Sequence, residues 1–373
     1  MDFSFNEAQS AVAGLAKRIF AERLGPAAMK ALEAEPERFD RKIWGELADA
    51  GLLGMSIPEA HGGAGHGLLE LCALLEEAGA AVAPLPLWET LVLGAITVER
   101  FGSDAQRARF LPRIASGDCI LTAALAEPDG GDDPMRITTT ARMNGGTWRL
   151  DGVKTCVPAA ALGERILVPA TTGDSTVGMF LVDPRAAGVT LERQIATTGD
   201  VQYRVSLSGA HVPSDDVIGD PSCGAAILEW LIPRATVALC AMELGVAGRA
   251  LKTTATYTTS RQQFDRPIAT FQAVAQRAAD AFIDVESIRV TTWQAAWRLS
   301  EGLPAGDAVA TAKLFAAEAG HRVVFAAQHL HGGMGFDVEY PLYRYYLRSK
   351  QIELTLGSAS VHLARLGSRL AIE

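Results

Sequence analysis

His331-Gly332-Gly333-Met334-Gly335-Phe336 runs on through Glu339-Tyr340-Pro341 to Arg348, and Leu354-Thr355-Leu356-Gly357-Ser358 follows soon after. Glycines lack a Cβ, so backbone N–H groups in such a turn can close on a phosphate. Gln328, just upstream, adds a side-chain amide able to donate further hydrogen bonds. Taken alone, the same letters also spell a helix C-cap followed by a loop. The second segment sets Leu356, an apolar residue, directly before a glycine.

Around these segments the apolar spacing is helical from about position 218 almost to the end. Val274, Ala278, Phe282, Val285, Ile288, Thr292 and Leu299 lie along one face of a long helix. The chain also begins helically: Val12, Leu15, Ala16, Ile19 and Phe20 share one face, as do Trp44, Leu47, Ala48 and Leu52. Glycine- and proline-rich breaks at 54–67 and 83–86 separate these helices. Near Cys119 the texture changes to short β-rich runs at 147–150, 165–168, 178–182 and 203–207. Asn144-Gly145-Gly146, Asp151-Gly152 and Asp183-Pro184 bound them, as antiparallel strands and hairpins require. The expected architecture is α+β in three parts: helical over 1–118, an antiparallel β-domain over 119–218, and a helical bundle over 219–373.

The composition suits such a chain. With 373 residues, 49% of them hydrophobic and 21% charged, it can bury a large core and is not a disordered sequence. A net charge of −9 and a pI near 5.4 argue against nucleic acid or an anionic membrane as partner. Five scattered cysteines without a Cys-x-x-Cys pair exclude a fully paired disulfide framework and offer no zinc spacing, which points to a reducing cytoplasm. No basic head with an apolar core opens the chain, so no signal peptide is expected. No uncharged apolar run reaches membrane-spanning length.

Two further stretches carry chemistry. Arg261-Gln262-Gln263-Phe264-Asp265-Arg266-Pro267-Ile268, continuing to Phe271-Gln272, offers a guanidinium for pyrophosphate and an aromatic ring for an adenine or flavin edge. By composition alone it is an ordinary turn between helices. Leu125-Ala126-Glu127-Pro128-Asp129-Gly130-Gly131 opens the β-block, where a loop can cover a planar cofactor or simply turn the chain.

In combination and order these marks are specific. Together with Ile57-Pro58-Glu59-Ala60-His61-Gly62-Gly63-Ala64-Gly65 and Leu150-Asp151-Gly152-Val153-Lys154, they make the chain resemble an acyl-CoA dehydrogenase over essentially its whole length. That resemblance implies an N-terminal helical domain, a central β-domain and a C-terminal four-helix bundle. It also implies FAD, an acyl-CoA substrate, and assembly as dimers or dimers of dimers. In such enzymes a glutamate removes the α-proton while the β-hydride passes to flavin N5, and hydrogen bonds to the thioester carbonyl stabilise the enolate.

The chain departs from the family pattern where the base belongs. The usual glutamate position holds Leu356, and the alternative one, aligned on Gly245 and Arg249, holds Ala235. Glu243 and Glu353 are the carboxylates near enough in sequence to substitute, although each reads more readily as a solvated or ion-paired glutamate. The family's contacts to a chain's own flavin fall on Ala126, Asp132, Cys156 and Pro158, which lack the usual donors. Contacts to a neighbour's flavin are retained as Arg261, Phe264, Gln272, Gln328, Gly332 and Gly333.

A heteromer needs only one complete site per pair of unlike chains. Asp265, Gln294–Arg298, Ala316–Arg322 and Lys350-Gln351 resemble the base-lacking subunit of α2β2 enzymes that act on steroid side-chain CoA thioesters. Other readings remain: a self-sufficient homo-oligomer using Glu243 or Glu353, a silent acyl-CoA-binding scaffold, or a flavin monooxygenase on the same fold. His61, His66, His329 and His331 lack a metal-site pattern. Trp293 and Trp297 read as core. The stretch from Lys252 to Arg261 can meet CoA phosphates or simply face solvent.

Overall fold

A computed structural model describes residues 4–131, 133–173 and 176–371. In chain order the helices α1 (Glu7–Arg23), α2 (Pro26–Glu33), α3 (Arg41–Asp49) and α4 (Leu68–Ala80) come first. A π-helical stretch, Trp88–Ala95, runs directly into α5 (Ile96–Phe101), and α6 (Asp104–Ala115) follows. Strands β1 (Leu121–Ala123), β2 (Thr140–Asn144), β3 (Thr147–Pro158), β4 (Arg165–Thr171), β5 (Val177–Val182), β6 (Val189–Ile195), β7 (Val201–Pro213) and β8 (Val217–Ile218) come next. The chain closes with α7 (Gly224–Ser260), a tiny hairpin of β9 (Gln262–Gln263) and β10 (Arg266–Pro267), α8 (Gln272–Ser300), α9 (Gly306–His331), α10 (Leu342–Leu354) and α11 (Ala359–Leu370).

The chain separates into two compact units. One comprises Met1–Met29, Leu68–Ala83 and Thr236–Glu373; the other comprises Lys30–Gly67 and Pro84–Ala235. In the helical unit Cys72, Val237, Cys240, Leu244, Val285 and Ile288 belong to one buried cluster. There α4 and α7 cross with their backbones in near contact. A Cβ on Gly245 would lie 1.8 Å from the Glu76 carbonyl oxygen, and one on Gly79 would lie 2.0 Å from that of Met242. No larger residue fits either place. An 18-residue window of α7 has a mean hydropathy of 1.5, and 61% of it is buried inside the protein, as in a core helix.

On α8 the buried residues are Ala281, Val285, Ile288, Thr292, Trp293, Ala295 and Ala296, while Phe282 is 57% exposed. The stripe expected from spacing therefore turns slightly. Ala281 faces inward in place of Phe282, because periodicity fixes an angular width but not its centre.

In the other unit the strands form one sheet ordered β6-β7-β3-β2-β4-β5-β8. Its pairings are antiparallel except that β4 lies parallel to β1 and, through Thr140 and Thr171, to β2. That refines the antiparallel expectation. Asn144 pairs with Thr147 around Gly145 and Gly146, at φ 61° and 83°, the geometry of a two-residue hairpin turn. The sheet buries Leu150, Val168, Phe180, Val205 and Trp148 on one face.

Candidate active site

The segment after α7 is a hairpin with a strained tip. Gln263 pairs with Arg266 and Gln262 with Pro267, so Phe264 and Asp265 form a two-residue turn at φ 55° and 61°. Turns of this kind normally carry Asn-Gly, because a Cβ disfavours positive φ. Here the cost sustains a phenyl ring that is 86% exposed, edge-on to Phe271 at 6.1 Å. The Arg266 guanidinium covers the Phe271 ring at 4.2 Å. Arg261 and Gln272 are also exposed. No packing need accounts for this positive-φ tip, since the ring it carries faces outward.

The glycine loop is tied to this hairpin. The His331 ring stacks on Tyr257 at 4.3 Å, and the Arg261 N–H donates to the Tyr257 carbonyl at 2.8 Å. His331 Nδ1 lies 2.7 Å from the Ala327 carbonyl, so it carries the proton, and Nε2 accepts from the Tyr340 hydroxyl at 3.2 Å. Burial lowers the His331 pKa, against the bond to Ala327, which favours the neutral ring this pattern needs. Gln328 is buried and its Nε2 donates to Gly335 O at 3.4 Å, while Gly332 and Gly333 are exposed. Gly332 takes φ 60°, ψ −137° as it leaves α9.

The turn after α10 is also firmly held. Lys313, fully buried, donates to the carbonyls of Ile352 and Glu353 at 2.6 and 3.0 Å. His362 Nε2 lies 3.0 Å from the Leu356 carbonyl. Burial drives the His362 pKa down to about 4, so this ring is neutral near pH 7 and donates that proton. Leu356 itself sits half-buried at φ 59°.

Of the two spare carboxylates, Glu353 receives the Lys350 ammonium at 2.6 Å. Glu243 is fully buried. It accepts from Ser349 Oγ at 2.7 Å through Oε1, its Oε2 has no hydrogen-bond partner among the described residues, and a Cβ on Gly320 would lie 2.3 Å from Oε1. Burial raises its pKa to about 8, against the Ser349 bond and the Lys313 charge. Ala235 is buried, and its carbonyl accepts from Trp88 Nε1 at 3.0 Å.

In the β-unit, Glu127 and Lys154 form a fully buried ion pair at 2.6 Å. Glu127 also accepts from the Thr138 and Thr139 N–H groups at 2.7 and 3.2 Å, from Thr139 Oγ1 at 2.7 Å, and from the Thr138 hydroxyl. Burial pushes its pKa up, but the lysine charge and these donors outweigh burial and hold it well below the usual carboxylate range. Next to the pair, the Thr155 N–H donates to Ala126 O at 2.9 Å.

Residues 6–118, 122–207 and 224–371 match the N-terminal, middle and C-terminal domain families of acyl-CoA dehydrogenases. Acyl-CoA dehydrogenase FadE27 of Mycobacterium tuberculosis is 40% identical over 380 residues, spanning 100% of this chain and 99% of its own. The chain belongs to the acyl-CoA dehydrogenase family. The ChsE4-ChsE5 complex from Mycobacterium tuberculosis superposes with a TM-score of 0.93 at 40% identity, covering 100% of this chain and 99% of that one. A variant of the Tcur3481-Tcur3483 steroid ACAD gives 0.91 at 43% identity, with 98% of each chain covered.

As an acyl-CoA dehydrogenase the protein is an FAD-dependent oxidoreductase acting on CH–CH donors. Its residues fit that cofactor unevenly. Arg261, Phe264, Gln272, Gly332 and Gly333 are exposed, and the first two offer a cation and a ring. On the β-unit, Ala126 and Pro158 have no side-chain donor, and the Cys156 N–H is taken by Gln194 Oε1 at 2.7 Å. Asp132 lies outside the described residues. Tyr257, His331 as a stacking partner, and Gln194 carry no signal in the sequence, since each acts through a residue far along the chain.

Proposed function

We propose that this acyl-CoA dehydrogenase is the base-lacking subunit of an α2β2 heteromer and acts with a homologous, base-carrying partner. The reaction is α,β-dehydrogenation of an acyl-CoA thioester, with a steroid side-chain CoA as the favoured substrate class. In this reading the chain is organised as helical, β and helical parts over 1–118, 119–218 and 219–373. Arg261, Phe264, Gln272, Gln328, Gly332 and Gly333 reach the partner's flavin. The observation that carries the reading is the contrast between the exposed, strained Phe264 hairpin and the apolar residues Leu356 and Ala235 at the base positions. Likeness to a two-protein complex and to a steroid enzyme supports the partner and the substrate class.

FAD, when bound, supplies the hydride acceptor. This chain's own contribution is positioning: a guanidinium for pyrophosphate, backbone N–H groups at the glycine turn, and a ring to exclude water. Neither Glu243 nor Glu353 takes the α-proton in this reading. Five unpaired cysteines support a cytoplasmic setting.

Native mass spectrometry with flavin absorbance tests it, on the chain alone and on the chain co-expressed with its candidate partner. The expected result is a flavin-poor chain alone and a tetramer with two flavins, bleached by acyl-CoA. One flavin per subunit in the chain alone, bleached by acyl-CoA, overturns the half-site reading.

A further inference from the structure

We infer that Gln194 closes this chain's own flavin edge from within, so that the part of the β-sheet that would meet a cofactor in cis is already hydrogen-bonded to itself. The inference rests on the half-site reading above and supplies a structural cause for it.

Strand β3 carries an irregularity between Lys154 and Val157, where Cys156 takes φ 52°. That turn removes the Cys156 N–H from the ladder with β7 and leaves it needing an acceptor. Gln194 stands on β6, on the far side of β7 from β3. Its side chain spans β7, supplies that acceptor and is held at a second point. Oε1 accepts the Cys156 N–H at 2.7 Å, and Nε2 donates to Thr155 Oγ1 at 3.0 Å.

The neighbouring groups are spent as well. The Thr155 N–H goes to Ala126 O at 2.9 Å, Val157 pairs with Tyr203 in the ladder, and Pro158 has no N–H to give. The Pro158 carbonyl accepts from Thr122 Oγ1 at 2.8 Å. From Thr155 to Pro158, then, each backbone donor has an internal acceptor or does not exist. An isoalloxazine edge presents carbonyl oxygens and ring nitrogens, which need donors. To bind here it must first displace Gln194, and the amide group so released gains nothing that water did not already provide. The primary carboxamide thus occupies the place of a ligand, and the mismatch with FAD is built into the sheet.

The test titrates FAD into the chain purified alone, as wild type, Gln194→Ala and Gln194→Glu, followed by flavin fluorescence quenching. Amide hydrogen exchange of the peptide containing Cys156 gives a readout independent of flavin. Gln194→Ala should speed exchange there and tighten FAD by about tenfold, the scale of one hydrogen bond no longer competed for. Gln194→Glu keeps the acceptor and should bind FAD no better than wild type. Unchanged exchange in Gln194→Ala, faster exchange with unchanged FAD affinity, or an equal gain in both variants overturns the inference. A wild-type chain that alone holds one FAD and is bleached by acyl-CoA overturns the half-site reading instead, whatever the variants do.

Discussion

Replacing Lys154 by methionine should destabilise the β-unit sharply. The Lys154 and Glu127 side chains are both fully buried, so methionine leaves a carboxylate with no countercharge. Breaking such a pair from one side costs about 3–5 kcal/mol. Glu127 keeps its donors from Thr138 and Thr139, which places the expected loss at the lower end, about 3 kcal/mol. In a unit of this size that lowers the melting temperature by about 6–12 °C. Thermal unfolding followed by circular dichroism measures it. The second arm is Lys154→Met with Glu127→Gln, which removes both charges yet leaves an acceptor for the threonine donors. It should regain at least about 1 kcal/mol over Lys154→Met. If Lys154→Met melts with the wild type, or if the double variant is no more stable than Lys154→Met, the charge argument is wrong.

Three further outcomes are expected. Glu243 binds more protons folded than unfolded, so its contribution to stability falls as pH rises from about 4.5 to about 8. The Glu243→Gln variant lacks that titration, and urea unfolding across the window should show the wild type losing up to about 1.4 kcal/mol per pH unit relative to the variant. Asp216, buried, bridges Arg109 at 2.8 Å and Arg165 at 3.3 Å, so Asp216→Ala should cost about 2 kcal/mol by chemical denaturation. Phe264→Ala, at an exposed tip, should change the stability of the chain alone by less than about 0.5 kcal/mol, yet reduce flavin retention in the proposed assembly with a base-carrying partner. Equal retention in wild type and variant would remove Phe264 from the flavin surface.

How far the letters alone carry can be judged residue by residue. The hairpin at Asn144–Thr147 is legible because Gly145 and Gly146 supply positive φ locally. The hairpin at Phe264-Asp265 is not, because an aspartate alone is a weak signal and a phenylalanine at positive φ is none; only its match to a family motif singles it out. Helix faces on α1 and α3 are readable from spacing, with Val12, Ala16, Phe20, Trp44 and Leu47 buried as that spacing requires. The face of α8 is readable only to within one residue, as the exposed Phe282 shows.

By itself, then, the sequence determined the helical, β and helical order and the glycine turn after Gln328, since each is written in local spacing or in side-chain chemistry, whereas Leu356 and Ala235 stand at base positions only by resemblance to the family. Only the tertiary structure decided that Glu127 is neutralised by Lys154, that Glu243 is sealed beside Ser349, and that Gln194 reaches Cys156. Those pairings join residues 27, 106 and 38 positions apart. Whether a buried or half-buried polar group is a ligand site or an internal contact depends on which partner the fold brings within hydrogen-bonding distance, and sequence separation carries no information about that distance.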